Sequence, residues 1–486
     1  MNYFELVRLG LPEIILVLTA LAVLAVGLIR DRVAGVCSGI AAAGILFAAA
    51  AVLRLPAHAA LAHGMLVVSP LNSLFQVICL ALAFFTVILA RGDRLLPNDG
   101  EFLALILLAT IGLLLLISSE ELLMIFIGLE LTGLSLYILT GFDKPDPLSA
   151  EAGLKYFLFG SVASAFTLFG ISLIYGLTGT TELAAIGPRL AAHALEPLLL
   201  AGVVMTLIGF LFKVAGAPFH LWAPDTYQAA PIPAAAFIAS GSKVASFVVL
   251  GKILLIALRG VPGEAGWHAL VAGWSPVLAV VAALSIVIGN LVALTQKNVR
   301  RLLAYSAVAH AGYTLVGLVA HGTDGFAATL FYTTIYALTL IGAFGVVGFV
   351  RRETGGVDLA DFAGLSARAP LLAGCMAVFM LSLAGLPPLA GFFGKFYLFS
   401  AAFRAPGAAH GLLWLVALAL GGSLVSLYYY LIVLKAVFLD EATTSGCALR
   451  PHLLPRLTIT LLAALVLLFG VFPGSLLDRI LAALAS

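Results

Sequence analysis

Six lysines, Lys155, Lys213, Lys243, Lys252, Lys395 and Lys435, stand inside long apolar stretches of the chain. A charge at the centre of a membrane helix costs about 2.5–3.5 kcal/mol on insertion scales, so each lysine needs a partner, a watery cavity or a neutral state. Carboxylates to match them are scarce. Of the 23 Asp and Glu residues only Glu130, in MIFIGLELTGLSLYIL, lies near the middle of such a stretch. One carboxylate cannot neutralise six ammonium groups, but a lysine in a dry site can shed its proton, because desolvation penalises the charged form. A row of such groups would hand protons across a membrane. The competing reading is that the lysine heads snorkel to the interface. Depth separates the two. Lys213 lies about 15 residues into its stretch and Lys243 about 12 into the next, too deep for easy snorkelling. Lys252 and Lys435 lie near stretch ends, where either reading serves, and Lys155, one to two turns in, stays open between them.

The elements that must position these groups follow from composition. The 486 residues are 63% apolar and 10% charged, with a mean hydropathy of +1.16, far from a soluble domain. Crossing about 30 Å of hydrocarbon takes roughly 20 apolar residues. About 14 stretches of that length recur, from 11–29 to 457–473, and all must be helices because open strands cannot satisfy their backbone in lipid. The expected fold is therefore an all-α polytopic membrane protein. The first stretch is long for a signal-peptide core and is expected to remain as the first span.

Lysine and arginine placement orients such a chain. Thirteen cations, including Arg30, Arg32, Arg91, Arg94, Lys144, Lys297, Arg301, Arg352 and Arg450, follow odd-numbered spans, and six, Arg8, Arg54, Arg189, Arg259, Arg404 and Arg479, lie on the other side. That bias puts the cation-rich loops in the cytoplasm and both termini outside. Cys37, Cys79, Cys375 and Cys447 share no ligand spacing, which speaks against a zinc or iron–sulfur site. With neither a dinucleotide fingerprint nor a P-loop, energy for transport must come from elsewhere.

LSLAGLPPLAGFFGKF, from Leu381 to Phe396, interrupts what would be a continuous span with two prolines and three glycines. Proline removes a backbone donor and clashes with the preceding turn, so the helix should break there and expose backbone groups beside Lys395. Broken membrane helices are tolerated where they line a cavity. A second break is expected in FLFKVAGAPFHLWAPDTYQAAPIPAAAFIASGSKVASF, over 210–247, where Ala215-Gly216-Ala217-Pro218 echoes Ala384-Gly385-Leu386-Pro387 at a displacement of 169 residues and five spans. Five is odd, so the copies enter the membrane from opposite faces, as inverted repeats do. The division expected is a three-helix segment over 1–100, a first repeat over 101–257, an inverted second repeat over 258–438 and a C-terminal helix over 439–486.

GLELTGLSLYIL, KYFLFGSVASAF, LFKVAGAPFHLWAPDTYQAAP, ASGSKVASF, QKNVRRLLAYSAVAHAGY and LAGLPPLAGFFGKFYLF resemble the antiporter-like membrane subunits of respiratory complex I and of related multisubunit cation/proton antiporters, and the resemblance runs over nearly the whole chain. It implies a charge pair of Glu130 and Lys213, a connecting lysine at Lys243, a relay histidine at His310, a terminal proton-donating lysine at Lys395 and a further family lysine at Lys155. A lone histidine is more often a packed polar residue, though an imidazole that titrates at about 6.5 suits proton exchange. The resemblance further implies a non-redox translocating subunit with no cofactor of its own. NADH, FMN, iron–sulfur clusters and quinone are then expected in other subunits. Expected partners are the lipid bilayer of a bacterial cytoplasmic membrane, an antiporter-like neighbour, subunit M, and the small subunits K, J and A, with no nucleic acid. A subunit of a sodium/proton antiporter, or of a related hydrogenase or ferredoxin-linked complex, is the alternative.

Overall fold

Helices dominate the computed structural model of the chain, which describes residues 3–29, 34–91, 98–191, 196–267, 269–405, 411–441 and 453–486. Arg30, Arg32, Arg94, Arg450 and Cys447 lie outside these. The chain begins with α1 (Leu11–Ile29), α2 (Ala34–Val52) and α3 (Pro70–Ala90). It continues through α4 (Asp99–Ser118), α5 (Leu122–Thr140), α6 (Pro147–Thr178), α7 (Pro197–Lys213), α8 (Trp222–Ala229), α9 (Ile232–Ala239) and α10 (Gly241–Lys252). Then follow α11 (Trp274–Ala293), α12 (Val299–Val319), α13 (Gly322–Thr354), α14 (Pro370–Ala384), α15 (Ala390–Phe403), α16 (Leu413–Phe438) and α17 (Leu453–Val471). Among the described residues twelve helical segments are long and apolar enough to cross a membrane. The shorter apolar helices α7 and α14 are each taken up after a break by α8 and α15.

Both expected breaks are present, and a third interruption was not anticipated. The stretch over 231–257 is divided at Ser240, whose backbone leaves the helical region (φ −118°, ψ −82°), and it ends in a π-helical turn over Ile253–Ala257. Two antiparallel hairpins also escape a hydropathy reading: β1 (Ala59–Leu61) with β2 (Leu66–Val68), and β3 (Glu264–Gly266) with β4 (Ala269–Val271). The Glu120 N–H donates to Gly64 O at 2.8 Å, and the Glu120 carboxylate lies 3.5 Å from Lys252 at the end of α10. Those contacts place both hairpins at one face, called here the hairpin face.

The two halves are tied off in the same way. Glu121 caps α5 by accepting from the N–H groups of Leu123 and Met124, while Leu122 N donates to Thr181 O and Leu183 N to Glu120 O. Asn298 caps α12 by accepting from Arg300 and Arg301, while Val299 N donates to Val357 O and Leu359 N to Lys297 O. The intervening long helices α6 and α13 have 32 and 33 residues. The first strap lies at the hairpin face and the second at the opposite one. At the centre stand α9–α10, α12 and α13, buried on nearly all sides. Helices such as α6 turn Phe159, Phe166 and Phe169 outward, as lipid contact requires.

Candidate functional site

α7 ends at Lys213, and the turn after it is sharp: Ala215 has φ 60° and the Ala217–Pro218 bond is cis. The backbone groups this frees find neutral partners, since Ala217 N donates to Ser285 Oγ at 2.7 Å and the Trp222 indole donates to Phe212 O at 2.9 Å. Lys213 itself is buried, and its Nζ has no hydrogen-bond partner. The ammonium nitrogen lies instead 5.0 Å from the Tyr137 ring centre, 5.8 Å from Tyr156 and 5.9 Å from Phe212, a cation–π cage. Glu130, Gly133 and Tyr137 sit at i, i+3 and i+7 on α5 and so share one stripe. A Cβ on Gly133 would stand 2.8 Å from Lys213 Nζ, so glycine is what lets the lysine lie against that stripe. No ion pair joins Glu130 to Lys213 among the described residues. The carboxylate, one turn along α5 from Gly133, accepts a short hydrogen bond from Ser164 of α6.

The second break binds its lysine differently. Gly385 turns the chain at φ 86° before a cis Pro387–Pro388 bond, and the carbonyls of Leu383 and Ala384, left without helical partners, each accept from Lys395 Nζ at 3.0 Å. Ser423 of α16 takes the third ammonium proton at 2.8 Å. In the first break the lysine precedes the turn, and in the second it follows.

Between the two lies a buried polar network. Lys243 on α10 donates to Ala307 O of α12 at 2.9 Å and lies 5.4 Å from the Tyr336 ring centre. That ring is 5.0 Å from the imidazole of His310. His310 Nδ1 meets the Tyr332 hydroxyl at 2.5 Å and Nε2 meets that of Tyr430 at 2.9 Å, so each ring nitrogen has a hydroxyl able to donate or accept. Tyr430 is also hydrogen-bonded to Ser306. Tyr429, its neighbour, donates to Asn290 Oδ1 at 3.1 Å, Asn290 Nδ2 donates to the Tyr313 hydroxyl at 2.9 Å, and the Tyr313 ring lies 5.1 Å from Lys395 Nζ. The structure thus brings Lys243, His310 and Lys395 into one cluster. None of the tyrosines nor Asn290 was singled out from sequence. The available signal was the stripe Ser306, His310, Tyr313 at i, i+4 and i+7 of α12.

The remaining lysines separate. Lys155 is 40% exposed at the face opposite the hairpins and pairs with Glu151 at 2.6 Å and Asp225 at 2.8 Å, and Asp225 also takes Arg301 at 2.7 Å. That cluster links α6, α8 and α12 at the membrane boundary, away from the buried network. Lys252, 3% exposed, does not snorkel: it donates to Ile117 O at the end of α4 and faces Glu120. Lys435, 64% exposed beside Asp440, does. Among the described residues no three His, Cys, Asp or Glu side chains are grouped to hold a metal.

Fold and site together define a polytopic helical membrane protein with broken helices and a buried cluster of lysines, a histidine and tyrosines. Residues 119–426 match the family described as NADH:quinone oxidoreductase/Mrp antiporter, transmembrane. The chain belongs to that family. It is 47% identical to NADH-quinone oxidoreductase subunit N 2 of Acidobacterium capsulatum, over 98% of each chain. A chain in the structure of respiratory complex I from Thermus thermophilus with bound aureothin superposes with a TM-score of 0.79 and 34% identity, covering 96% of this chain and 98% of that one. A chain of the Mrp complex from Dietzia has the same fold, with a TM-score of 0.83 at 21% identity over 100% of this chain and 97% of its own.

Proposed function

We propose that this chain is the N-type membrane subunit of a bacterial NADH:quinone oxidoreductase and moves protons without redox chemistry of its own. The observation that carries this reading is the buried cluster that joins Lys243, His310 and Lys395: Lys243 and His310 both lie against the Tyr336 ring, His310 bonds Tyr430, and Tyr429 beside it leads through Asn290 to Tyr313, whose ring faces Lys395. Lysine at 395, where the M-type relative is expected to have glutamate, and the 47% identity to a subunit N support the particular assignment. The two broken pairs are read as single spans, which brings the total to fourteen, and the matching straps of α5–α6 and α12–α13 support inverted repeats. Both termini lie on the outer side of the cytoplasmic membrane, with subunits M, K, J and A as neighbours.

Quinone reduction elsewhere perturbs Glu130, whose field acts on Lys213. Lys213, with no bond to hold its ammonium form, gives its proton toward Lys243. His310 accepts on one ring nitrogen while releasing from the other, and Lys395 delivers the proton outward. NADH, FMN, iron–sulfur clusters and quinone belong to the other subunits in this scheme.

A gradient-driven sodium/proton antiporter is the second reading, favoured by the likeness of fold to the Mrp complex. Gentle isolation of the tagged chain tests both: co-isolation of NADH:quinone reductase activity is expected, and recovery with antiporter-like subunits alone overturns the assignment. Within the active assembly, Lys395→Ala should lower the proton-to-electron ratio, and an unchanged ratio would sink the relay.

A further inference from the structure

The four helices that build the network around Lys395 converge at the hairpin face on a cavity of about 290 Å³. Its walls include Ser275 at the start of α11, which carries Asn290, and Val319 at the end of α12, which carries His310. They also include Ala405 just past α15, which carries Lys395, and Leu412 just before α16, which carries Ser423 and Tyr430. Glu264 of β3 and His321 complete the lining. Lys395 lies ten residues before Ala405, about 15 Å along a helix, so the cavity closes the outer end of the bundle in which the relay terminates.

Three features mark it as more than a gap between loops. Ser275 is fully buried in the cavity wall, and its Oγ has no hydrogen-bond partner among the described residues, an unsatisfied polar group of the kind that native interiors seldom keep without a reason. His321 holds φ 60° and ψ 167°, a region glycine adopts freely and other residues rarely, and such outliers gather at functional sites. Its ring packs 4.7 Å from that of Trp274, which fixes the imidazole at the cavity wall. Burial holds that imidazole below its ordinary titration range, so a proton that reaches it is readily given up.

We propose that this cavity is the mouth through which protons leave the relay, with His321 the last protein group to hold them and Glu264 the carboxylate that draws them toward the outer water. The inference rests on the proton-pumping reading above. In the step proposed, a proton released by the Lys395 ammonium crosses through water to an imidazole nitrogen of His321 and passes from there to bulk water at the hairpin face. The charged groups on the elements walling the site are Glu264, Asp324 in the first turn of α13 and Arg404 after α15. α11 adds only Trp274 and Ser275.

The test uses the intact assembly in proteoliposomes, with proton release followed as a function of pH on the hairpin side. His321→Gln should slow release about tenfold, less than the hundredfold or more expected for a proton-transfer group that water cannot replace, and should flatten the dependence on hairpin-side pH. In parallel, Ala405→Cys, at a half-buried position of the cavity wall, should react with a membrane-impermeant thiol reagent from that side, and the reaction should block pumping. Lys395→Ala serves as the control. If it abolishes pumping while His321→Gln keeps the wild-type rate and pH profile and Ala405→Cys stays unreactive, the mouth lies elsewhere and the proposal falls. If Lys395→Ala pumps normally, the relay itself is wrong.

Discussion

The two broken helices solve one problem in opposite ways. A break exposes backbone groups that hydrocarbon cannot satisfy. At the first, Ser285 and Trp222 take them up, and Lys213 is left among aromatic faces with no bond to its ammonium group. At the second, the lysine itself satisfies the freed carbonyls of Leu383 and Ala384. One lysine is a charge looking for a partner, and the other is part of the scaffold. A proton on Lys213 is accordingly held weakly and responds to small changes in field. A proton on Lys395 leaves only when its three acceptors are served otherwise, which suits a terminal store that releases late.

The sharpest way to break this comparison is to replace each lysine with methionine. Both Lys213→Met and Lys395→Met should abolish pumping through this subunit. Their stabilities should move apart. Lys395→Met leaves the Leu383 carbonyl unpaired, at about 1–3 kcal/mol, and Ala384 O with only the long 3.5 Å bond from Ser423, whereas Lys213→Met removes a buried cation held by aromatic faces alone and should be nearly neutral or stabilising. Thermal unfolding of the purified assembly reads both, and equal losses would mean that the lysines are equivalent after all.

Tyrosines give the next contrast. Tyr430→Phe removes the hydroxyl that joins His310 to Ser306 and should cut the pumping rate by about tenfold or more, as loss of a proton-carrying group does. Tyr137→Phe removes a hydroxyl that has no partner and keeps the ring beneath Lys213, so its effect should be small. Comparable rates for the two variants would argue against the relay through His310. A smaller effect is expected from Gly133→Ala, whose new Cβ meets Lys213 Nζ at 2.8 Å. The flexible lysine can shift, at a cost of roughly 1–3 kcal/mol for crowding a packed site, so turnover should fall while the Lys395 cluster, probed by the pH dependence of release, stays unchanged.

The breaks and the deep lysines were legible in the sequence because proline pairs and lysines are expensive in membrane helices and have few bland explanations. The tyrosines were not, because a tyrosine in an apolar span reads equally well as core packing, and only the folded chain brings Tyr332 and Tyr430, from helices far apart in sequence, to the two nitrogens of one imidazole. Lys252 failed a reading by depth for a related reason. Its position near the end of a stretch says nothing about the α4 carbonyl and the strap residue Glu120 that enclose it. Lys155 shows the converse, since the resemblance placed it in the relay, while its own surroundings are Glu151 and Asp225 at the boundary.

The smallest expected effect bears on what lies between Glu130 and Lys213. Among the described residues Ser164 is the one hydrogen-bond donor that holds the Glu130 carboxylate, and it comes from α6, not from either helix of the first break. With the hydroxyl removed, the carboxylate loses its tether, and a buried cation without a hydrogen bond, Lys213, lies beside the same stripe of α5. Ser164→Ala should therefore let the two approach, favour the protonated lysine and slow the hand-over to Lys243. The change should be a few-fold, because the new attraction offsets most of the about 1.5–3 kcal/mol that a single hydrogen bond to a charged group contributes. Pumping measured across a range of pH should show the slowing relieved at high pH, where deprotonation of Lys213 is favoured. A uniform loss at every pH would indicate that Ser164 merely packs α6 against α5, and the first break would then differ from the second in its backbone partners alone.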